Sequence, residues 1–341
     1  MHKAFLGFSL TVLIFLLFSN CQPQTQKISK INGLSFVASR DTIQQKHINP
    51  ILDIHANWVS IMPFAFMRKA DSTQLFYNNE RQWYGERVTG VKQYIKLMHS
   101  NGIKVMLKPQ IWIGGGDFTG YISMKTESDW KTFEQNYLDM LMLYAKVAEE
   151  SNVEMFCIGT ELNNFVSERP QFWTSLISSV KNVYSGELTY AENWDKIENV
   201  PFWSELDYIG VDAYFPISKE KTPSLDSVKM AWQPISQNLK TLSEKHDKPI
   251  LFTEYGYRSI DFAGKEPWHS IRIDGQTNEV TQDVLLKGLM DSVWDQPWFA
   301  GGFLWKWFHN HDQASERHAN RFSIRHKHAE QSIKKYYAKF E

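Results

Sequence analysis

Two apolar runs in the chain each end on a single carboxylate. The run EMFCIGTELNN, residues 154–164, delivers Glu161, and PILFTEYGYRS, residues 249–259, delivers Glu254. Acids carried by two separate strands can face one another across a pocket, an arrangement suited to cleaving a glycosidic bond. One carboxylic acid protonates the leaving oxygen, and the second carboxylate attacks or stabilises the oxocarbenium-like carbon. The two stand about 5 to 5.5 Å apart in retaining enzymes and about 6.5 to 9.5 Å apart in inverting ones. On this reading Glu254 is the nucleophile, kept ionised by a donor such as Tyr214, and Glu161 is the acid/base, kept protonated by burial near aromatic surface. Glu192 and Asp212 also lie at the ends of apolar runs and could replace one member of the pair; Asp212 better suits a buried structural acceptor.

Something must hold the two acids opposite one another. Eight short runs rich in β-branched and aromatic residues start at Gly33, Trp58, Lys104, Met155, Leu188, Tyr208, Ile250 and Gly302. Between them, residues 42–56, 88–101, 129–151, 172–184, 224–246 and 280–293 have helical apolar spacing, with Ser128 or Asp129 as the expected cap of the third. PFWSEL from Pro201 serves as the fifth crossover, and residues 327–340 as the closing helix. This alternation predicts one α/β domain, a single (β/α)8 TIM barrel over residues 31–341, with elaborated loops at 261–278 and 309–325. Such a barrel carries its chemistry at the C-terminal ends of the strands. Alternation of side chains puts Glu161 on one face with Gly159, Cys157 and Met155, and Glu254 on one face with Phe252 and Ile250, so both acids are expected over the barrel axis.

The strand ends are also rich in rings that could stack on sugars. The chain has 13 Trp, and Trp112, Trp194 and Trp305 are candidate subsite residues, although each could equally be core. Other chemistries fit less well. Gly114-Gly115-Gly116 lacks the Lys-Ser/Thr of a phosphate loop and reads as a flexible loop over the mouth. His309-Asn310-His311-Asp312 has metal-like spacing, but no second histidine cluster stands at an earlier strand end, so neither metal nor cofactor is expected. No GxSxG elbow occurs. Cys157 reads as a small buried residue rather than a nucleophile.

Residues 1–20 read as a signal peptide: Lys3, the apolar run FLGFSLTVLIFLLF, and Ser19-Asn20 before Cys21. Cys21 sits where a bacterial lipoprotein is lipidated, and residues 21–30 form a polar tether. The expected location is the outer membrane, facing the periplasm, with the lipid as the only membrane contact. The formal charge of −1 becomes −2 once Lys3 is removed, so bulk charge does not attract nucleic acid.

GTEL at the fourth run and FTEYG at the seventh are similar to the acid-bearing motifs of clan A glycoside hydrolases. With MLKPQIW, GTELNNF and DYIGVDAYFP, they make the chain resemble glycoside hydrolase family 113 from about Asn32 to Phe308. The resemblance implies a retaining β-mannanase that cleaves β-1,4-mannosidic linkages in mannan or manno-oligosaccharides by double displacement, with Glu161 as acid/base and Glu254 as nucleophile. Many clan A enzymes carry Asn before the acid/base, where it binds the sugar 2-hydroxyl; here that position is Thr160, which leaves Asn163 and Asn193 as candidates. Lys108, in MLKPQIW, is counted with the substrate-binding residues. The expected protein is a monomer whose partner is an oligosaccharide or polysaccharide. A clan A hydrolase of another β-glycan and a noncatalytic glycan-binding lipoprotein are the alternatives.

Overall fold

The eight apolar runs close into one cylinder of parallel strands. The computed structural model describes residues 30–269, 276–310 and 319–340. In chain order the barrel strands are β1 (Ile31–Val37), β2 (Trp58–Ile61), β4 (Lys104–Leu107), β6 (Met155–Thr160), β7 (Glu187–Asn193), β8 (Tyr208–Asp212), β9 (Ile250–Tyr255) and β10 (Phe299–Phe308). They pair around the ring in the order β1-β10-β9-β8-β7-β6-β4-β2, as expected of a TIM barrel.

Two further strands arise where proline interrupts a run. Pro63 follows β2 and Pro109 follows β4, and neither can donate to a ladder. Beyond them the chain resumes as β3 (Phe64–Met67) and β5 (Gln110–Ile113), a parallel two-stranded ribbon with Phe66 opposite Trp112. A bond from Gln110 N–H to Pro63 O, 3.0 Å long, joins the two breaks. The ribbon extends one side of the barrel above its lip.

The helices α1 (Gln45–Asp53), α2 (Val88–His99), α3 (Glu127–Glu150), α5 (Pro170–Lys181), α6 (Leu225–His246), α7 (Glu279–Val293) and α8 (His328–Lys339) follow the periodic segments, with an additional short α4 (Asn163–Glu168). The third helix is capped by Thr126, whose hydroxyl accepts the Asp129 N–H at 3.1 Å, rather than by Ser128 or Asp129. A capping side chain reaches the third helical N–H, so the true cap lies two to three residues before the expected one. α5 starts earlier than expected because Pro170 suits a first helical position. PFWSEL contributes a single 3-10 turn, Trp203–Glu205.

Ile31, Trp58, Met106, Met155, Cys157, Ala191, Leu251 and Phe303 fill the inside of the barrel. The outer layer between strands and helices is larger and holds Ile250 and Phe252, the latter against Trp232 of α6. The expected face-sharing of Glu254 with Ile250 and Phe252 is therefore wrong. Val211 pairs with Phe252 but Asp212 pairs with Glu254, so Thr253 is an extra residue that resets the alternation. Such a bulge re-aims the side chain that follows it.

Lys30, assigned to the tether, is buried, and its ammonium donates to the carbonyls of Gln296 and Phe299. The signal segment, Cys21 and the rest of the tether lie outside the described residues.

Candidate active site

Glu254 sits at the end of β9 with its carboxylate surrounded by donors. Lys108 Nζ lies 2.7 Å from Oε1 and Gln110 Nε2 3.1 Å from it, while the Tyr214 hydroxyl donates to Oε2 at 2.8 Å. These donors come from the segment after β4, from β5 and from the segment after β8, so strand ends on different sides of the barrel converge on one side chain. Burial, then the nearby Glu254 charge, raises the Tyr214 pKa well above its ordinary range, so this hydroxyl stays a donor.

Asp212 lies behind Glu254. Its Oδ1 accepts from Thr253 Oγ1 at 2.7 Å and from Lys108 Nζ at 3.3 Å. Lys108 has no solvent exposure. Burial opposes its charge, but Asp212 and Glu254 together outweigh that and raise its pKa. The lysine expected to touch substrate is therefore an enclosed counter-ion. Its side chain points down from the Pro109 break into the barrel rather than up into the cleft.

Glu161 follows the last residue of β6 and is half-buried. Its φ of 52° lies in the left-handed region, which costs a non-glycine residue about 1–2 kcal/mol. Two bonds from β7 support it: its own N–H reaches Ala191 O at 2.7 Å, and the Leu162 N–H reaches the Tyr190 hydroxyl at 2.8 Å. Burial first, then the Asp212 and Glu254 charges, raise its pKa well above the carboxylate norm. Asp212 is raised as well, by burial and then by Glu254. Of these three carboxyls, Asp212 and Glu254 pair directly with the Lys108 ammonium. The arrangement favours a carboxylate at Glu254, the residue with the most donors, and a proton on Glu161, which has no side-chain donor among the described residues.

Both acids line a cleft of about 1590 Å³. Its walls include Trp112 and Trp305 from the expected set, and also Arg68, Trp83, Phe118 and Lys306. Trp112 is 53% exposed. Gly114 and Gly116 form part of the wall, and Gly115 and Gly116 have φ of 84° and 82°, values that require glycine. Asn163, Asn193 and Trp194 do not line this cleft. Asn163 opens α4, with its amide on Asn164 at 3.4 Å; Asn193 accepts the Trp194 N–H at 3.0 Å; Trp194 packs against Phe215 and Trp268. Trp307 is core, beneath the Arg325 guanidinium. His309 packs on His47, and His311 and Asp312 lie outside the described residues.

Sequence reasoning missed Lys306, whose ammonium lies over the rings of Trp305 and Phe308 and whose pKa is lowered by burial, with the Glu254 charge opposing. It also missed Thr253, since nothing in ILFTEY announces a bulge. Gln110 was visible as a polar residue at a strand end, but its partner was not.

The model of Glycoside Hydrolase Family 113 matches residues 38–327. The chain belongs to glycoside hydrolase family 113. The family 113 β-mannanase AaManA from Alicyclobacillus acidocaldarius, solved in complex with ManMIm, is 24% identical, with 92% of this chain and 98% of that chain covered and a TM-score of 0.80. A complex structure of a family 113 β-1,4-mannanase is 23% identical, covering 91% and 99% of the two chains, with a TM-score of 0.79. A β-glucuronidase from Faecalibacterium prausnitzii is more distant, 15% identical with a TM-score of 0.58, and this chain spans 49% of it. Among curated proteins, none matches this sequence. This family 113 chain is thus a glycoside hydrolase, and the likenesses below 25% identity give its fold.

Proposed function

We propose that this hydrolase cleaves β-1,4-mannosidic linkages in mannan or manno-oligosaccharides with retention of configuration, Glu254 serving as nucleophile and Glu161 as acid/base. One observation carries the assignment: Glu254 is held by three donors while Glu161, in the same cleft, has its pKa raised. Three donors on one carboxyl and, among the described residues, no side-chain donor on the other divide the roles of nucleophile and acid between them. Membership of family 113 and the two mannanase structures support mannose as the sugar.

In the first step an oxygen of Glu254 attacks C1. Oε1 already carries two donors and Oε2 only the Tyr214 hydroxyl, so Oε2 is the freer oxygen. As the C1–O bond breaks, Glu161 gives its proton to the departing oxygen, leaving an alcohol and a glycosyl ester on Glu254. In the second step the Glu161 carboxylate takes a proton from water, the water oxygen bonds to C1, and Glu254 departs as a carboxylate. The sugar is released with the configuration it had in the chain. Lys108 balances the Glu254 charge whenever it is ionised, and the neutral Tyr214 hydroxyl adds a hydrogen bond to it.

Trp112 and Trp305 supply ring faces for sugars in the cleft, and Lys306 supplies an ammonium beside them. We place the enzyme as a monomer tethered to the outer membrane through lipidated Cys21, with the barrel facing the periplasm. Incubation of purified protein with mannohexaose, cellohexaose and xylohexaose tests the sugar: cleavage of mannohexaose alone is expected, and cleavage of cellohexaose or xylohexaose in preference overturns it. Proton NMR of the first product gives the mechanism; an initial α-anomer excludes retention.

A further inference from the structure

The acid/base residue is held by its backbone in a conformation that residues other than glycine rarely adopt, and the groups that hold it there all come from β7. Glu161 has φ of 52°. Its N–H bonds to Ala191 O at 2.7 Å, and the next N–H, on Leu162, bonds to Tyr190 Oη at 2.8 Å. Tyr190 is fully buried on the outer face of β7, so no water competes for that bond. Its hydroxyl in turn donates to Glu192 Oε2 at 3.2 Å, and Glu192 Oε1 accepts the Asn193 N–H at 2.8 Å. Glu192 is 1% exposed. Neither Tyr190 nor Glu192 lines the cleft, so neither reaches a bound sugar.

We propose that Tyr190 and Glu192 form a positioning relay for Glu161: the Glu192 carboxyl orients the Tyr190 hydroxyl so that its lone pair faces the Leu162 N–H, which locks residue 161 in the left-handed conformation that aims its carboxyl at the glycosidic oxygen. A tyrosine hydroxyl has one proton to give and must give it away from the N–H it accepts. Glu192 is the acceptor that fixes this direction. Without it the hydroxyl is free to turn, the Leu162 N–H loses its acceptor, and the backbone of Glu161 relaxes towards commoner angles. Glu192, which the sequence offered as a substitute for one of the catalytic pair, instead acts through Glu161.

The relay rests on Glu161 being the acid/base, so the test separates the two ideas. Proton donation matters most for a poor leaving group and little for a dinitrophenolate, which departs unprotonated. Tyr190→Phe, Glu192→Gln and Glu161→Ala are assayed on a manno-oligosaccharide and on 2,4-dinitrophenyl β-mannoside, with thermal melts on each. Because Glu161 also serves as base in the second step, which both substrates share, the readout is kcat/KM, which reports the first step. Glu161→Ala is expected to lose far more kcat/KM on the oligosaccharide than on the activated glycoside; equal losses overturn the acid/base assignment itself. Tyr190→Phe is expected to show the same pattern at smaller size, kcat/KM on the oligosaccharide falling about 10²-fold, the lower end for general acid catalysis, with kcat/KM on the dinitrophenyl glycoside within about 2-fold. Glu192→Gln keeps an acceptor oxygen and is expected to retain most activity, whereas Glu192→Leu reproduces Tyr190→Phe. If Glu161→Ala shows the leaving-group pattern but the folded Tyr190→Phe and Glu192→Leu proteins lose both rates equally, or neither, the relay is wrong. Should Tyr190→Phe not fold, Glu192→Leu alone decides.

Discussion

Lys108 Nζ lies 2.7 Å from Glu254 Oε1 and 3.3 Å from Asp212 Oδ1, with the lysine wholly excluded from solvent. A buried ammonium between two carboxylates does more than balance charge. It fixes the position of Glu254, since rotation of that side chain would leave the buried cation with Asp212 as its one remaining carboxylate among the described residues. Removing one partner from such a pair leaves an uncompensated buried charge, at a cost of about 3–5 kcal/mol.

Lys108→Met is therefore expected to lower both stability and turnover. The remaining carboxyls hold their protons to higher pH, so the acidic limb of the kcat/KM profile moves upward. Thermal melts and a pH–rate profile check this; an unchanged acidic limb would show that the lysine does not govern the ionisation of the site.

Glu254→Ala is expected to reduce activity by several orders of magnitude. Azide then enters the space left by the carboxylate, restores part of the rate and yields an α-glycosyl azide, identified by NMR. An active variant without azide overturns the nucleophile assignment.

Trp112 is a half-exposed ring on the cleft wall and contacts Phe64 edge-on. Trp112→Ala is expected to raise KM about 10-fold, equivalent to ~1.4 kcal/mol, with kcat and melting temperature nearly unchanged. A fall in kcat at constant KM would mean that the ring acts on the transition state instead.

Burial pushes the Glu192 carboxyl up to about 7 from its ordinary 4.5. The folded protein thus binds this proton more tightly than the unfolded chain does. Its stabilising contribution is fully present below pH 4.5 and is lost as pH rises through about 7. Glu192→Gln carries no such proton, so its melting temperature relative to wild type is expected to rise between pH 5 and pH 8. A constant difference across that range would mean that Glu192 is not a buried titrating group.

Cys21→Ser in the full-length chain is expected to shift the protein from the membrane pellet to the soluble fraction and abolish labelling by a radioactive fatty acid. Retention in the membrane with no label would show a different anchor.

Much of this architecture was legible because its signals are local. Each barrel strand is a short apolar run and each helix an apolar stripe, and the strand ends identify where polar residues must gather. Tyr214 was expected beside Glu254 from its place at the end of β8, and it stands there. Lys108 was misread because sequence position near the barrel mouth does not say whether a long side chain turns up or down. Asn193 and Trp194 were read as sugar contacts from their place at a strand end, but Asn193 accepts the N–H of its neighbour and Trp194 packs against Phe215 and Trp268. The bulge at Thr253 depends on register with β8 and β10, a relation between distant segments that no run of side chains displays.

The two prolines after β2 and β4 have an effect beyond interrupting a ladder. By lifting β3 and β5 clear of the barrel, they give the Trp112 wall of the cleft a backbone scaffold of its own, joined to the floor that fixes Lys108 and Glu254 through Gln110 at the start of β5. On the proposed function, substitutions at Phe64, Phe66 or Trp112, further along the ribbon than Gln110, are expected to alter how sugars are held while the contacts of Lys108 with Glu254 and Asp212 stay in place.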